Sequence, residues 1–355
     1  MSAIADAAAQ FRLAAALDEQ GRHEDALAQL RGAAKAGHVP AMTRLGKRLL
    51  VGENAPFAPQ EGMALLTNAV ERGDAEAMAQ MATLAGAGAW MPQSWTVALN
   101  LLQESAKLGR EDARGQLLLL AADRPLADRI RGGVTEEPEC WRPLRESVNI
   151  EAWLAQPGRR QVCDTPRIWV SEDFTTPDIC DWLVAKARGK FKPARLFDGK
   201  KSSFSEARTC SDFVFDIVAG DLILLLVRAR IAALTALPTF AMEPPQIFHY
   251  ALGQEIKPHF DFLYDGKHGY GQADGYQGDR LATFLLYLNH DYGGGELEFP
   301  RVGFRYKAKA GDAIYFANKT REGASDRLSL HAALPITRGE KYIFSQWIHD
   351  RAFTA

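Results

Sequence analysis

Cysteine is scarce in this chain: Cys140, Cys163, Cys180 and Cys210 are the four present in 355 residues, and no two of them form a C-x-x-C pair. That scatter excludes a disulfide framework and a zinc knuckle, and leaves four small thiols of the buried or half-buried kind. Long apolar runs are also missing. The longest, Leu117 to Ala122 and Leu222 to Val227, fall far short of the ~20 residues a membrane helix needs. The start, Met1-Ser2-Ala3-Ile4-Ala5-Asp6, has no basic segment followed by an apolar one, so no secretory signal is read there and a cytoplasmic location is expected. Neither sign of charge dominates, with 42 Lys and Arg against 44 Asp and Glu. Bulk attraction to nucleic acid or to an anionic membrane is therefore not expected. What is present is enough apolar residue, 47%, to bury a sizeable core, in a length that suits about two domains.

The first third repeats itself. Gly37, Gly73 and Gly109 lie 36 residues apart, as do Ala41, Ala77 and Ala113. Leu30, Leu66 and Leu102 keep the same phase, and so do Leu27, Met63 and Leu99, and Ala34, Val70 and Ala106. Within one unit Leu27, Leu30 and Ala34 fall on one face of an amphipathic helix. Gly37 ends that helix where a residue of positive φ is wanted, and a second helix runs from Ala41 through Leu49. Small residues at Ala34, Ala41 and Ala77 let paired helices approach closely. Each unit is thus a helix hairpin that buries its apolar face only by stacking on the next. This 36-residue hairpin resembles the SEL-type branch of the tetratricopeptide repeats over about residues 8 to 120, with Ala14 to Gln20 as a capping helix. Trp90 to Trp95 lengthens one connection. The resemblance implies a surface for protein binding or domain docking; the alternative is a solenoid that only packs on the second domain.

Residues 121 to 165 carry no period and contain Pro125, Gly132-Gly133, Pro138, Pro143 and Pro157. They read as a connector with short helices such as Ile150 to Ala155. The expected division is therefore 1–120 repeats, 121–165 connector and 166–355 second domain.

Beyond Arg167 the pattern changes. Helices are expected over Pro177 to Lys186, capped by Thr175 or Thr176, and over Asp221 to Leu237. After Pro244 come short segments rich in Phe, Tyr, Ile and Thr: Gln246 to Tyr250, Ala282 to Asn289, Gly295 to Phe299, Phe304 to Ala308, Ala313 to Ala317, Ser329 to Leu334 and Lys341 to His349. Such spacing suggests a double-sheet sandwich or barrel. Polar residues inside these apolar strands are the informative ones. His259 and Asp261, two apart, share a face of an extended strand, and His331 sits within Leu328-Ser329-Leu330-His331-Ala332. Two imidazoles and one carboxylate on one face make the facial arrangement of non-haem Fe(II) sites, with positions left open. Lys341, in a barrel lined by Tyr342, Phe344 and Trp347, is costly to bury without an anionic partner, which a bound dicarboxylate supplies.

With these residues in place the sequence is recognisable. Tyr250-Ala-Leu-Gly253-Gln254-Glu-Ile-Lys-Pro-His259-Phe-Asp261 resembles the strand that opens the core of prolyl-4-hydroxylase-like dioxygenases. Arg280-Leu-Ala-Thr283 to Tyr287-Leu-Asn289, Gly294-Gly295-Glu296 to Phe299, Gly311-Asp312-Ala313 to Asn318, Ser329 to Ala332 and Gly339-Glu340-Lys341 to Trp347 follow in the family's order. The match covers about residues 167 to 350. It implies an N-terminal all-α solenoid joined to a C-terminal double-stranded β-helix (jelly roll) with flanking helices. It also implies Fe(II), 2-oxoglutarate as co-substrate, O₂, and ascorbate as an accessory reductant. By this resemblance His259, Asp261 and His331 are the metal ligands and Lys341 grips the far carboxylate of 2-oxoglutarate. Tyr250, Tyr287 and Ser345 line or hydrogen-bond the co-substrate, and Trp347 stands beside it. Thr283 and Arg280 either join that set or are structural strand residues.

Two stretches bear on the substrate. Lys190 to Ala207 is basic and aromatic, and Tyr264 to Asp279 carries Gly266, Gly269, Gly271, Gly275 and Gly278 among Tyr264, Tyr270 and Tyr276. Both read as lids that order on binding, or else as solvated insertions. His249 and His349 are expected on the outer surface, His268 in a lid, and His290 in a turn. The resemblance implies hydroxylation of a prolyl or other side chain in a peptide or protein that docks partly on the repeats. The alternatives are a hydroxylase of a free amino acid or small metabolite, and a non-catalytic interaction protein.

Overall fold

The computed structural model describes residues 2–133, 138–194, 196–197, 202–203, 207–263 and 278–352. It separates into two units: Met1–Trp153 with Asp216–Leu226, and Leu154–Phe215 with Val227–Ala355.

In the first unit, helix α1 (Ser2–Glu19) precedes three helix pairs. These are α2 (His23–Lys35) with α3 (Val39–Val51), α4 (Pro59–Glu71) with α5 (Ala75–Ala87), and α6 (Trp95–Lys107) with α7 (Glu111–Leu120). The 36-residue spacing is kept in the starts of both helices of every pair. Gly37, Gly73 and Gly109 turn each pair at φ of 87°, 80° and 89°, a left-handed backbone that side chains with a Cβ rarely adopt. The next helix is then capped from the same repeat position: His38 Nδ1 accepts from the Ala41 N–H, and Asp74 Oδ1 from the Ala77 N–H at 2.7 Å, satisfying donors that a helix start leaves orphaned. The periodic Leu30, Leu66 and Leu102, and Ala41, Ala77 and Ala113, are all buried. One close helix approach is not announced by the alanine columns. On α4, a Cβ added at Gly62 would sit 2.8 Å from the Gly46 carbonyl oxygen of α3. Three short helices follow, α8 (Arg124–Arg131), α9 (Trp141–Ser147) and α10 (Ile150–Leu154).

The second unit holds the strands. In chain order they are β1 (Arg160–Asp164), β2 (Arg167–Ser171), β3 (Lys192–Pro193), β4 (Leu196–Phe197) and β5 (Ser202–Ser203). Next come β6 (Ser211–Val214), β7 (Gln246–Tyr250), β8 (Ile256–His259), β9 (Arg280–Tyr287), β10 (Gly293–Gly294) and β11 (Leu297–Phe299). The last are β12 (Phe304–Tyr306), β13 (Ala313–Ala317), β14 (His331–Ala333), β15 (Ile336–Arg338) and β16 (Lys341–His349). Helix α11 (Pro177–Ala187) lies between β2 and β3, and α12 (Leu222–Thr235) between β6 and β7. An antiparallel sheet of eight strands runs β1-β2-β13-β9-β16-β7-β6-β3, and a smaller one runs β12-β11-β14-β8. Together they form the double-stranded β-helix, whose core cluster includes Phe248, Tyr250, Tyr287, Phe299, Phe316 and Trp347.

The strand expectations at 246–250, 313–317 and 341–349 coincide with β7, β13 and β16. The stretch expected as a connector ends in a strand instead: β1 pairs with β2, from Arg160 opposite Val170 to Asp164 opposite Arg167. Backbone pairing builds it without an apolar stripe, since Arg160, Gln161 and Asp164 are exposed.

Candidate active site

The smaller sheet sets the geometry. In the pairing of β8 with β14, His259 stands directly opposite His331, so the two imidazoles meet on one face, 4.3 Å apart between ring centroids. Strand β8 stops at His259, and Asp261 follows just beyond its end rather than on the strand. Its carboxylate still reaches both rings: His259 Nε2 lies 3.6 Å from Oδ1 and His331 Nε2 3.5 Å from Oδ2. One ligand atom from each of the three residues lies within 4.8 Å of the others. Each ring is oriented through its other nitrogen. His259 Nδ1 donates to the Lys257 carbonyl and His331 Nδ1 to the Ser329 carbonyl, both at 2.9 Å. A carbonyl only accepts, so the proton is on Nδ1 and each Nε2 lone pair faces the carboxylate. Thr283 fixes Asp261, donating to Oδ2 at 2.7 Å, and Asn318 Nδ2 donates in turn to Thr283 Oγ1 at 3.0 Å. Burial, helped by the neighbouring His259, holds His331 down to about 4. Burial pushes the Asp261 carboxyl up, and the positive charge of the neighbouring Arg280 opposes it. Two bare imidazole nitrogens and one carboxylate, each with an outer hydrogen bond, fit a divalent iron with open coordination positions.

These residues line one end of a cavity of about 480 Å³, its mouth included. Strands alternate their side chains, so single strands supply several walls. From β16 come Lys341, Ile343, Ser345 and Trp347; from β9, Thr283, Leu285 and Tyr287; from β7, Phe248 and Tyr250. Lys341 is 3% exposed. Its Nζ donates to the Gly295 carbonyl at 2.6 Å and lies 5.1, 5.7 and 6.0 Å from the ring centres of Tyr250, Tyr287 and Tyr292. Burial pulls this amine down to about 7, which is the cost of holding a cation among phenols with no carboxylate bonded to it among the described residues. The Ser345 hydroxyl and the Trp347 indole N–H are buried without a hydrogen-bond partner among the described residues. Unmatched polar groups of this kind on a cavity wall mark a place for a ligand.

His259, Asp261, His331, Lys341, Tyr250, Tyr287, Ser345, Trp347 and Thr283 all lie on this cavity, and Arg280, named with Thr283, does not. The Thr283 hydroxyl proton is spent on Asp261, and the Tyr287 hydroxyl donates to the Tyr306 carbonyl at 3.3 Å. Tyr342 and Phe344, expected around Lys341, belong to the opposite parity of β16 and are not on the cavity wall; Tyr342 stacks on His249 instead, at 4.8 Å. His349 is not on the outer surface. Strand β16 is covered on both faces, and His349 Nε2 meets Glu243 Oε1 at 2.6 Å deep inside. The same Glu243 takes two hydrogen bonds from Arg280, whose guanidinium stacks 3.8 Å from the Trp347 ring centre. Arg280 therefore lies behind Trp347, off the cavity wall. Arg208 was missed: it lines the cavity, lies 5.3 Å from the Phe248 ring centre and is bridged to Ile256. The basic run read over 190–207 stops one residue short of it. Of the two expected lids, residues 195, 198–201, 204–206 and 264–277, with Tyr264, Tyr270, Tyr276 and His268, lie outside the described residues.

A facial histidine–carboxylate–histidine set inside a jelly roll, facing a buried lysine, defines the non-haem iron oxygenase class. Residues 245–349 match the model of the 2OG-Fe(II) oxygenase superfamily. The chain is 36% identical over 214 residues to probable prolyl 4-hydroxylase 6 of Arabidopsis thaliana, covering 54% of this chain and 72% of that protein. Among solved structures it is similar to the viral collagen prolyl hydroxylase of Paramecium bursaria Chlorella virus-1 in its 2OG complex, at 26% identity and TM-score 0.41, over 53% of this chain and 98% of that one. A Sel1 repeat protein from Oxalobacter formigenes aligns at 19% identity and TM-score 0.31, over 42% of this chain and 61% of that one. The chain belongs to the prolyl 4-hydroxylase-like family of 2-oxoglutarate- and Fe(II)-dependent dioxygenases, with a helical repeat unit at its N-terminus.

Proposed function

We propose that this enzyme hydroxylates a prolyl side chain presented in a peptide or protein, with 2-oxoglutarate converted to succinate and CO₂. The observation that carries the reading is the shared cavity of His259, Asp261, His331 and Lys341. Iron held there supplies the oxidising chemistry together with 2-oxoglutarate and O₂. The chain's part is binding and orientation. His259, Asp261 and His331 hold the metal, with the Lys257 and Ser329 carbonyls and Thr283 keeping the three ligands in place. Lys341 takes the far carboxylate by a charge-assisted contact, and Tyr250 and Ser345 supply hydroxyls to it. Phe248, Leu285, Leu297 and Ile343 make the remaining wall apolar and exclude water. Trp347, backed by Arg280, and Arg208 border the space left for substrate.

The preference for a prolyl residue rests on the relatives, which are named prolyl 4-hydroxylases. The preference for a macromolecule rests on the repeat unit, whose exposed helices offer a second place for a protein to dock. The test is succinate release from 2-oxoglutarate by iron-loaded enzyme, measured with proline-containing peptides, with free proline and without substrate. Stimulation by peptide together with a gain of one oxygen on proline supports the reading. Stimulation by the free amino acid alone replaces it with the small-molecule alternative. No turnover in any arm, or unchanged turnover in His331→Ala, overturns it.

A further inference from the structure

The repeat unit contains a piece of chain that its own period does not predict: Asp216–Leu226, which arrives from far along the sequence and folds with helices α1 to α10. Several of this segment's polar groups are satisfied within it. Asp216 Oδ1 accepts from the Val218 and Ala219 N–H groups at 2.8 and 2.7 Å, and Asp221 Oδ1 accepts from the Leu224 N–H at 2.9 Å. Two backbone groups are met from outside. Gln80 Nε2 on α5 donates to the Ile217 carbonyl at 3.1 Å, and Gln116 Oε1 on α7 accepts from the Leu222 N–H at 2.9 Å. Both glutamines are buried, 5% and 3% exposed, and they stand 36 residues apart, at the same position of successive repeats. The apolar half of the contact is equally fitted. Ile217 and Val218 pack on the core cluster that holds Met81 and Leu84. Gly86 leaves room for Leu222, whose Cδ2 would lie 2.8 Å from a Cβ added there.

We propose that the α5–α7 face of the repeats is a backbone-reading receptor whose resident ligand is the chain's own segment Asp216–Leu226. A buried amide that pairs with backbone recognises the path of the chain rather than particular side chains. Repetition of that amide at one repeat position makes a two-rung clamp, and the small residue at position 86 sets how close the bound segment comes. Leu222 is also the first residue of α12, so Gln116 satisfies a helix-start donor and fixes where the helix begins. The same helix, past Leu226, carries Arg228, whose guanidinium donates to the Met242 and Glu243 carbonyls. This face is therefore reserved. A protein substrate that docks on the repeats uses other helices while the segment is in place.

The two glutamines make opposite hydrogen bonds, which gives a signed test in the full-length protein by amide hydrogen exchange. Gln116→Leu removes the acceptor and is expected to speed exchange of the Leu222 amide by roughly tenfold or more. Gln116→Glu keeps an acceptor and is expected to retain protection. Gln80→Glu sets an acceptor against the Ile217 carbonyl and is expected to loosen 216–226 as a whole, while Gln80→Lys keeps a donor and does not. Far-ultraviolet circular dichroism of each variant confirms that the helices are formed. Equal exchange in Gln116→Leu and Gln116→Glu, or a segment that exchanges freely in the unaltered protein, overturns the proposal. A variant that fails to fold is replaced by Gly86→Val, which displaces Leu222 from the same face and must expose 216–226 if the segment is a bound ligand.

Discussion

Replacing Lys341 by methionine is expected to have two effects of opposite sign. The methionine keeps most of the apolar stem and removes the cation. In the protein without co-substrate, burial depresses this amine from 10.5 to about 7, and at ~1.36 kcal/mol per tenfold this corresponds to a cost on the order of 5 kcal/mol at low pH. Removal of the amine leaves the Gly295 carbonyl without its donor, a loss of about 1–3 kcal/mol. The balance favours the variant by ~2–4 kcal/mol, or roughly 5–10 °C in the melting of a domain of this size. The sign with pH is fixed by linkage. Because the folded value lies below the unfolded one, the wild-type penalty is complete below about pH 7 and shrinks as pH rises to 10.5, where neither state is charged. The melting gap between Lys341→Met and wild type must therefore close over that range. Co-substrate binding moves the other way: the far carboxylate loses its buried cation, and the 2-oxoglutarate requirement rises by roughly a hundredfold or more. Thermal scans from pH 6 to pH 10 without co-substrate, and anaerobic titration of 2-oxoglutarate, read the two effects. A variant that melts below wild type at neutral pH, a gap that does not change with pH, or an unaltered 2-oxoglutarate requirement refutes the reasoning.

Three further outcomes are expected. Thr283→Val keeps the shape of the side chain but leaves Asp261 Oδ2 and Asn318 Nδ2 without their shared partner; anaerobic iron titration is expected to show ~10–100-fold weaker binding. Gly62→Ala forces α3 and α4 apart at the Gly46 carbonyl, destabilising the repeat unit by about 1–3 kcal/mol, seen as earlier loss of helical circular dichroism with succinate release unchanged at low temperature. Glu243→Gln takes the carboxylate away from half-buried Arg280 and buried His349, and a denaturant titration is expected to show a loss of about 3–5 kcal/mol; a midpoint equal to wild type would mean that the cluster is solvated.

Much of the site was legible because its residues break a local rule. His259, Asp261, His331 and Lys341 are polar or charged within apolar strands, and the repeat announced itself by period. What was not legible is what depends on distant neighbours. Arg208 sits in an unremarkable polar stretch and gains its place only through Phe248 and Ile256. Glu243 has no local signal, and its role is fixed by Arg280 and His349. Alternation along β16 suggests one wet face for His349, whereas the strand is central in the eight-stranded sheet and buried on both faces. Strand β1 escaped because its residues are exposed and their pattern is that of a loop. Gln80 and Gln116 read as ordinary helix polar residues until the segment they hold is seen beside them.

The anchoring of the two imidazoles has a consequence for how this centre tolerates change. Each Nδ1 is tied to the carbonyl two residues upstream in the chain, that of Lys257 within β8 for His259 and that of Ser329 just before β14 for His331. Each ligand thus travels with its own support, as a three-residue cassette that needs no side chain from elsewhere in the barrel to choose the tautomer. Substitution at 257 or 329 changes the side chain and leaves the carbonyl in place, so point mutation at those positions cannot untie the ring. Only a change in the path of the backbone can. The centre should accordingly withstand drift in the residues around its histidines, and fail by insertion or deletion within β8 or just before β14.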